Sequence, residues 1–523
     1  MGFRQTHQWI EDLRVKSAYP KAEQSDVEML ETHLSWVFLV KDRVYKLKKP
    51  VDFGFVNFTT LEARKDACEA EVKLNRRLAP DVYLGIRAVY RSLDGTYSFV
   101  VQGAVVDWAV YMRRLPQEVR ADTLLSEGDL DVRKIDLLAR QIAEFHAHCM
   151  SNKSISELGK PEAIRVNVEE NFEQTRSSIT ACISQEEANT LRKWQLDFLG
   201  SQHDRFMERV HAGHIRDGHG DLRLEHAYWI DGKWTIIDCI EFNDRFRYAD
   251  TCADVAFMAM DLSAQGQQTL SERFVAQYAI ESNDFGLYPL LDFYQSYRAY
   301  VRGKVALLSR EDASEIAPEL LAKARHYFLL SLAVGHKPFV PPRVIAVGGM
   351  IASGKSTLAD RLAMELACPV VDTDRTRKHM LGVDATTSMN QGLWTGAYDE
   401  AVSHRVYAEL FTRARQVLDS KRSVVLDASF RTAIARQQAK QLANEYGLPF
   451  LFIECQVSKD VALERLTSRS QMPSVSDARS ELYESFFAAY EPVHEFDSSD
   501  HMVVQTIGNV DETVAKIRDF VFG

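Results

Sequence analysis

Apolar positions follow two rhythms along the chain, and the rhythm changes several times. Between 32 and 49 it is short. Ser35 to Val40 is an apolar run, Lys41-Asp42 is a turn pair, and Val44, Tyr45 and Leu47 then interleave with Lys46 and Lys48. This predicts two strands. Over 60–78, Leu61, Cys68, Val72, Leu74 and Leu78 are spaced for one buried helix face, and Pro80 stops it. Strands are predicted over 82–91 and 97–108, joined at Asp94-Gly95. From about 130 to 210 the spacing is helical, most clearly in Ile135 to Cys149. Ile215 to Phe242 returns to short strands and turns, and 250–335 is helical again.

The pattern breaks at His336-Lys337-Pro338-Phe339-Val340-Pro341-Pro342, where three prolines stiffen the chain and exclude helix. Directly after it, Val344-Ile345-Ala346-Val347 reads as a buried strand opening an alternating α/β pattern. Domains are therefore expected over 1–335 and 343–523, with 336–342 as a Pro-rich linker. A chain of 523 residues is in any case too long for one core.

Charge narrows the partners. The net charge is −11, and residues 343–523 hold 20 Lys and Arg against 24 Asp and Glu, so no general polyanion-binding surface is expected. The 7 cysteines show no metal or redox spacing, which predicts reduced thiols and a cytoplasmic location. No apolar stretch reaches about 18 residues, so no membrane partner is expected.

The strongest chemical signal is Gly349-Met350-Ile351-Ala352-Ser353-Gly354-Lys355-Ser356, which fits G-x-x-x-x-G-K-[ST] between a buried strand and an amphipathic helix. Glycines let the backbone wrap a phosphate, and N–H groups at the helix start point at it. Lys355 would reach the β- and γ-phosphates, Ser356 would hold Mg²⁺, and Thr357 starts the helix. Asp427, at the tip of the apolar strand Ser423 to Leu426, fits a Walker B carboxylate orienting the metal shell. Between them lies Val370-Val371-Asp372-Thr373-Asp374-Arg375-Thr376-Arg377. Asp374 is the candidate base for an acceptor hydroxyl, and Arg377 the candidate acceptor anchor. An Asp there also suits a helix N-cap. Arg465 and Arg469 share a helix face and could reach the transferring phosphoryl group.

With these motifs, 343–523 resembles the P-loop kinase family that includes polynucleotide kinases, zeta-toxin-like kinases and small-molecule kinases. The resemblance rests on the Walker A run, Asp374-x-x-Arg377, the Asp427 strand with Arg431 and Arg436 after it, and the lid arginines.

The front part carries His219-Gly220-Asp221-Leu222-Arg223-Leu224-Glu225-His226 and, after Thr235-Ile236-Ile237, Asp238. This resembles the aminoglycoside phosphotransferase branch of the protein-kinase-like fold. The resemblance implies Asp221 as the catalytic Asp and Asp238 as a metal ligand. Asp250 and Asp254 fit the segment supporting the catalytic loop. Lys46 is implied as the ATP phosphate lysine, paired with Glu71, with Lys48 on the same strand face as its competitor. Two departures stand out. His226 replaces the family's metal-binding Asn, and imidazole suits Mg²⁺ less well than oxygen. No glycine-rich loop precedes Lys46, where the turn is Thr32-His33-Leu34-Ser35.

The order of modules is similar to a family of bifunctional aminoglycoside phosphotransferase-like and ATP-binding proteins. It implies an α+β protein-kinase-like N-terminal domain and an α/β P-loop kinase domain with a central parallel sheet. ATP and Mg²⁺ are the expected cofactors, and a hydroxyl-bearing small molecule is the expected acceptor in preference to nucleic acid. Two other functions stay open: a polynucleotide 5′-hydroxyl kinase, and a nucleotide-binding regulator with a non-catalytic front domain.

Overall fold

The computed structural model describes residues 9–522 apart from 53, 55, 309–316, 336–339, 388, 390–395 and 470–474. The chain divides into two compact units, 1–264 with 297–332 and 265–296 with 333–523. Segment 265–296, read on the sequence with the front domain, thus groups with the second unit. The first four residues of the linker at 336–342 lie outside the described residues.

The first unit opens on a six-stranded antiparallel sheet. Its strands are β1 (Val27–Glu31), β2 (Ser35–Val40), β3 (Arg43–Lys48), β4 (Tyr83–Arg91), β5 (Tyr97–Ser98) and β6 (Ala104–Arg113), in the order β1-β2-β3-β6-β4-β5. The turn at Lys41-Asp42 closes β2 and β3 with Lys41 at φ 53°, the left-handed geometry that tight hairpins favour. The predicted strand 97–108 is instead two strands, and β1 carried no signal of its own. Alternation on β3 decides the site. Tyr45 and Leu47 enter an aromatic cluster with Trp36, Phe38 and Tyr111. Val44 faces Cys68 and Val72 of helix α1 (Leu61–Asn75), and Lys46 and Lys48 share its face.

The rest of this unit is mostly helical. It includes α2 (Val132–His148), the strand pair β7 (Ile215–Asp217) and β10 (Tyr248–Asp250), the hairpin β8 (Ala227–Ile230) and β9 (Lys233–Ile236), and α3 (Thr251–Ala264), buried along nearly its whole length.

The second unit is built on a five-stranded, all-parallel sheet in the order β12-β13-β11-β14-β15. The strands are β11 (Val344–Gly349), β12 (Val370–Asp372), β13 (Val424–Asp427), β14 (Phe450–Gln456) and β15 (His501–Gln505). β11, β12, β13 and most of β14 are buried on both faces and read as largely apolar runs, while β15 is partly exposed. Helices α5 (Lys355–Glu365), α6 (Thr373–Met380), α7 (Glu400–Asp419), α8 (Ala433–Glu445), α9 (Lys459–Arg469) and α10 (Val510–Phe522) follow α4 (Gln268–Ser282) in the chain. Ile280 of α4 packs on the cluster of Ile345, Val347, Leu358, Leu362 and Ile453. Arg422, just before β13, donates to Glu272 at 2.7 and 3.0 Å and to Asp292 at 2.9 Å. Chain order reverses around β11, so its carboxyl end is the switch point where such sheets bind ligands. Among the described residues, no helix is long and apolar enough to cross a membrane.

Candidate functional site

At the end of β11 the chain enters the P-loop. Gly349 stands at φ 133°, and a Cβ there would lie 2.4 Å from the Cys455 carbonyl oxygen. Gly354 stands at φ 87° immediately before α5, where only glycine fits without strain. Lys355 Nζ folds back to donate to the Met350 carbonyl at 2.8 Å. The Ser353 hydroxyl is buried and makes no hydrogen bond among the described residues. Ser356 and Thr357 sit exposed in the first turn of α5.

Three carboxylates approach the loop. Asp427 is buried at the end of β13, beside β11. Burial pushes its carboxyl up to about 7, against the pull of Lys355 and of a hydrogen bond from Ser356. Asp372 caps α6, accepting from Arg375 N at 2.7 Å. The N-cap role thus belongs to Asp372, and Asp374 sits free of it in the first turn. Burial, then the charge of Asp372, raises the Asp374 carboxyl above its ordinary range. The Arg377 guanidinium lies 4.5 Å over the Tyr398 ring, whose hydroxyl donates to Asp477 at 2.7 Å. Lys355, Ser356, Asp374, Arg377, Asp427 and Arg431 line one cavity of about 680 Å³.

Not every predicted residue joins that cavity. Arg465 donates to the Ala352 carbonyl at 3.2 Å and to the Thr506 carbonyl at 2.7 Å. The Arg469 side chain lies outside the described residues. Arg436 is fully buried and bonds the carbonyls of Phe430 at 2.9 Å and Glu491 at 3.0 Å, a scaffold role. Sequence reasoning passed over Arg413, which donates to Thr376 Oγ1 at 2.8 Å and so steadies α6 between Asp374 and Arg377. It also passed over Thr506. Both contacts cross long stretches of chain, and no local pattern announces them.

In the first unit the predicted residues do meet. Lys46 Nζ lies 3.0 Å from Glu71 and 2.6 Å from Asp238. Lys48 also bonds Glu71, and bonds Glu241 besides, so both lysines share the one glutamate. Burial favours the neutral lysine, but Asp238 and Glu71 prevail and raise the Lys46 ammonium above its usual range. Asp238 holds φ 64°, a strained value for a non-glycine residue. Asp254 accepts from the amides of His219 at 2.7 Å and Gly220 at 2.9 Å, which fixes the His-Gly-Asp turn from below. Asp250 pairs with Arg209 at 2.5 Å.

His226, which stands at the family's metal-binding Asn position and is a candidate metal residue on the sequence, lies 3.5 Å by its Nε2 from Asp238. Its Nδ1 lies 2.8 Å from the Asp221 carbonyl, and its Nε2 lies 3.2 Å from Arg223 Nη2, which can only donate. Both ring nitrogens are engaged. Arg223 also takes both oxygens of Asp221, each at 2.8 Å. Burial alone would raise the Asp221 carboxyl, but Arg223 and then His226 hold it well below the usual carboxylate range.

Comparison with known proteins extends these observations. A family model described as an AAA domain matches residues 344–493. Among solved structures, a gluconokinase from Sinorhizobium meliloti shares 19% identity over 35% of this chain and 92% of its own, with a TM-score of 0.25. A choline kinase from Cryptosporidium parvum shares 11% over 61% of this chain and 92% of its own, with a TM-score of 0.39. Uncharacterized proteins from Mycobacterium tuberculosis and Mycobacterium bovis are 32% identical over 466 residues, 89% of this chain and 90% of theirs. The chain belongs to the family of these mycobacterial proteins.

Proposed function

We propose that the second unit transfers the γ-phosphoryl group of ATP to a hydroxyl of a small molecule. The convergence of Lys355, Asp374 and Asp427 on one cavity at the P-loop carries this reading. The residues fit the ligand. The orphaned Ser353 hydroxyl and the N–H groups opening α5 are donors suited to an anion. Ser356 and Asp427 offer two oxygens of the kind Mg²⁺ prefers. When bound, Mg²⁺ neutralises charge on the phosphates.

The remaining work falls to side chains. Lys355 exchanges the Met350 carbonyl for the phosphates. Asp374 takes the proton of the acceptor hydroxyl, and its raised pKa makes it a stronger base. Arg377, steadied against Tyr398, holds the acceptor. In the front unit, the grip of Arg223 on Asp221 favours a regulatory nucleotide site over a second transfer site.

The test is transfer from labelled ATP to a panel of hydroxylated metabolites and a 5′-hydroxyl oligonucleotide. Asp374→Asn is expected to lower transfer by on the order of 10²-fold or more while ADP still binds. Transfer to the oligonucleotide alone, or undiminished transfer by Asp374→Asn, would refute the reading.

A further inference from the structure

Arg465 was expected at the transferring phosphoryl group, yet its hydrogen bonds run to the Ala352 carbonyl and to Thr506, by its carbonyl and its hydroxyl. Nη1 donates to the carbonyl of Ala352 at 3.2 Å, and Nη2 to the carbonyl of Thr506 at 2.7 Å. The Thr506 hydroxyl in turn donates to the carbonyl of Ser353. Its amide donates to the Gln456 carbonyl at 3.2 Å, tying it to the end of β14. Two donors on distant elements thus hold two consecutive carbonyls of the P-loop.

The backbone they hold is unusual. Ala352 stands at φ 58°, a left-handed value that a residue with a Cβ seldom adopts, and Gly354 at φ 87°. A Cβ at 354 would lie 3.0 Å from Thr506 Oγ1 and 3.3 Å from Arg465 Nη1, so the clasp also presses closely on the glycine. In a trans peptide the N–H points opposite the C=O. Fixing the Ser353 carbonyl on Thr506 therefore aims the Gly354 N–H away from the clasp, and Gly354 lines the cavity.

We propose that Arg465 and Thr506 form a positioning pair. They set the peptide orientation of the P-loop for the diphosphate part of the nucleotide, and Arg465 does not serve the transferring phosphoryl group. This rests on the reading of the loop as a nucleotide cradle. The two roles for Arg465 separate cleanly. An arginine acting on the γ-phosphoryl group leaves ADP binding unaltered and slows the chemical step. A brace weakens ADP and ATP alike and leaves the step intact at saturation.

The experiment uses the full chain with Mg²⁺. ADP and ATP affinities are measured by calorimetry for the native protein, Arg465→Lys and Thr506→Val. Single-turnover hydrolysis of ATP, with water as acceptor, is followed at saturating nucleotide. Both variants are expected to weaken ADP and ATP by the same factor, about 10-fold, with the saturated rate within about 2-fold of native. Thr506→Val removes one hydroxyl and leaves Arg465 in place, so it decides the matter should Arg465→Lys fail to fold. Unchanged ADP affinity in a folded variant overturns the pair, whatever its rate. A native protein that binds no ADP overturns the cradle itself, and the pair with it.

Discussion

Arg223 Nε and Nη2 stand 2.8 Å from the two carboxylate oxygens of Asp221, a bidentate pair formed two residues apart. The guanidinium is 7% exposed and also bonds Glu225. An acceptor hydroxyl arriving at Asp221 would have to displace a planar, charge-assisted fork that fits a carboxylate better than a hydroxyl does.

Asp221→Asn is therefore expected to leave total phosphoryl turnover within about 2-fold of native. A transfer site that used Asp221 as its base would lose about 10²–10⁴-fold. Turnover from labelled ATP, compared with Asp374→Asn in the same assay, distinguishes the two. A large loss in Asp221→Asn would show the front unit to be the engine.

Asp427 gives a pH prediction. Its folded pKa, about 7, lies above its ordinary value of 3.8. Between those values the folded chain holds a proton that the unfolded chain has lost. This group's contribution to stability thus falls as pH rises through that window. Binding of Mg²⁺ requires the carboxylate, so the protein should release a proton on binding, and Mg²⁺-dependent nucleotide affinity should fall as pH drops from 8 to 6. Calorimetry in buffers of different ionisation heat measures the proton. Asp427→Asn should abolish this part of the pH dependence. An equal pH dependence in that variant would remove Asp427 from the metal shell.

Local patterns were read well from the sequence, and long-range contacts were not. The strands on either side of Lys41-Asp42, the helix after Thr60 and the strand–loop–helix around Lys355 follow from side-chain period and turn chemistry, both of which act over a few residues. The pairing of Lys46 with Glu71 was legible for the same reason, since strand and helix each fix one face. The strand over 97–108 was not. Its first part pairs with the end of β4, and a loop follows before β6 begins. Arg422, Arg413 and Thr506 were silent because their partners lie far along the chain. A half-buried arginine answered by Glu272 and Asp292 looks on the sequence like any surface charge. Arg465 was read by position as a catalytic group, and only its two carbonyl partners give it another task.

The most direct measurement is a calorimetric titration of ATP with Mg²⁺ into the full chain and into Lys355→Ala. Saturable binding is expected in the native protein, weakened in the variant by at least about 10-fold. An isotherm that Lys355→Ala leaves untouched, or a native protein that gives no heat at any nucleotide concentration, would contradict a phosphate cradle at Gly349–Ser356.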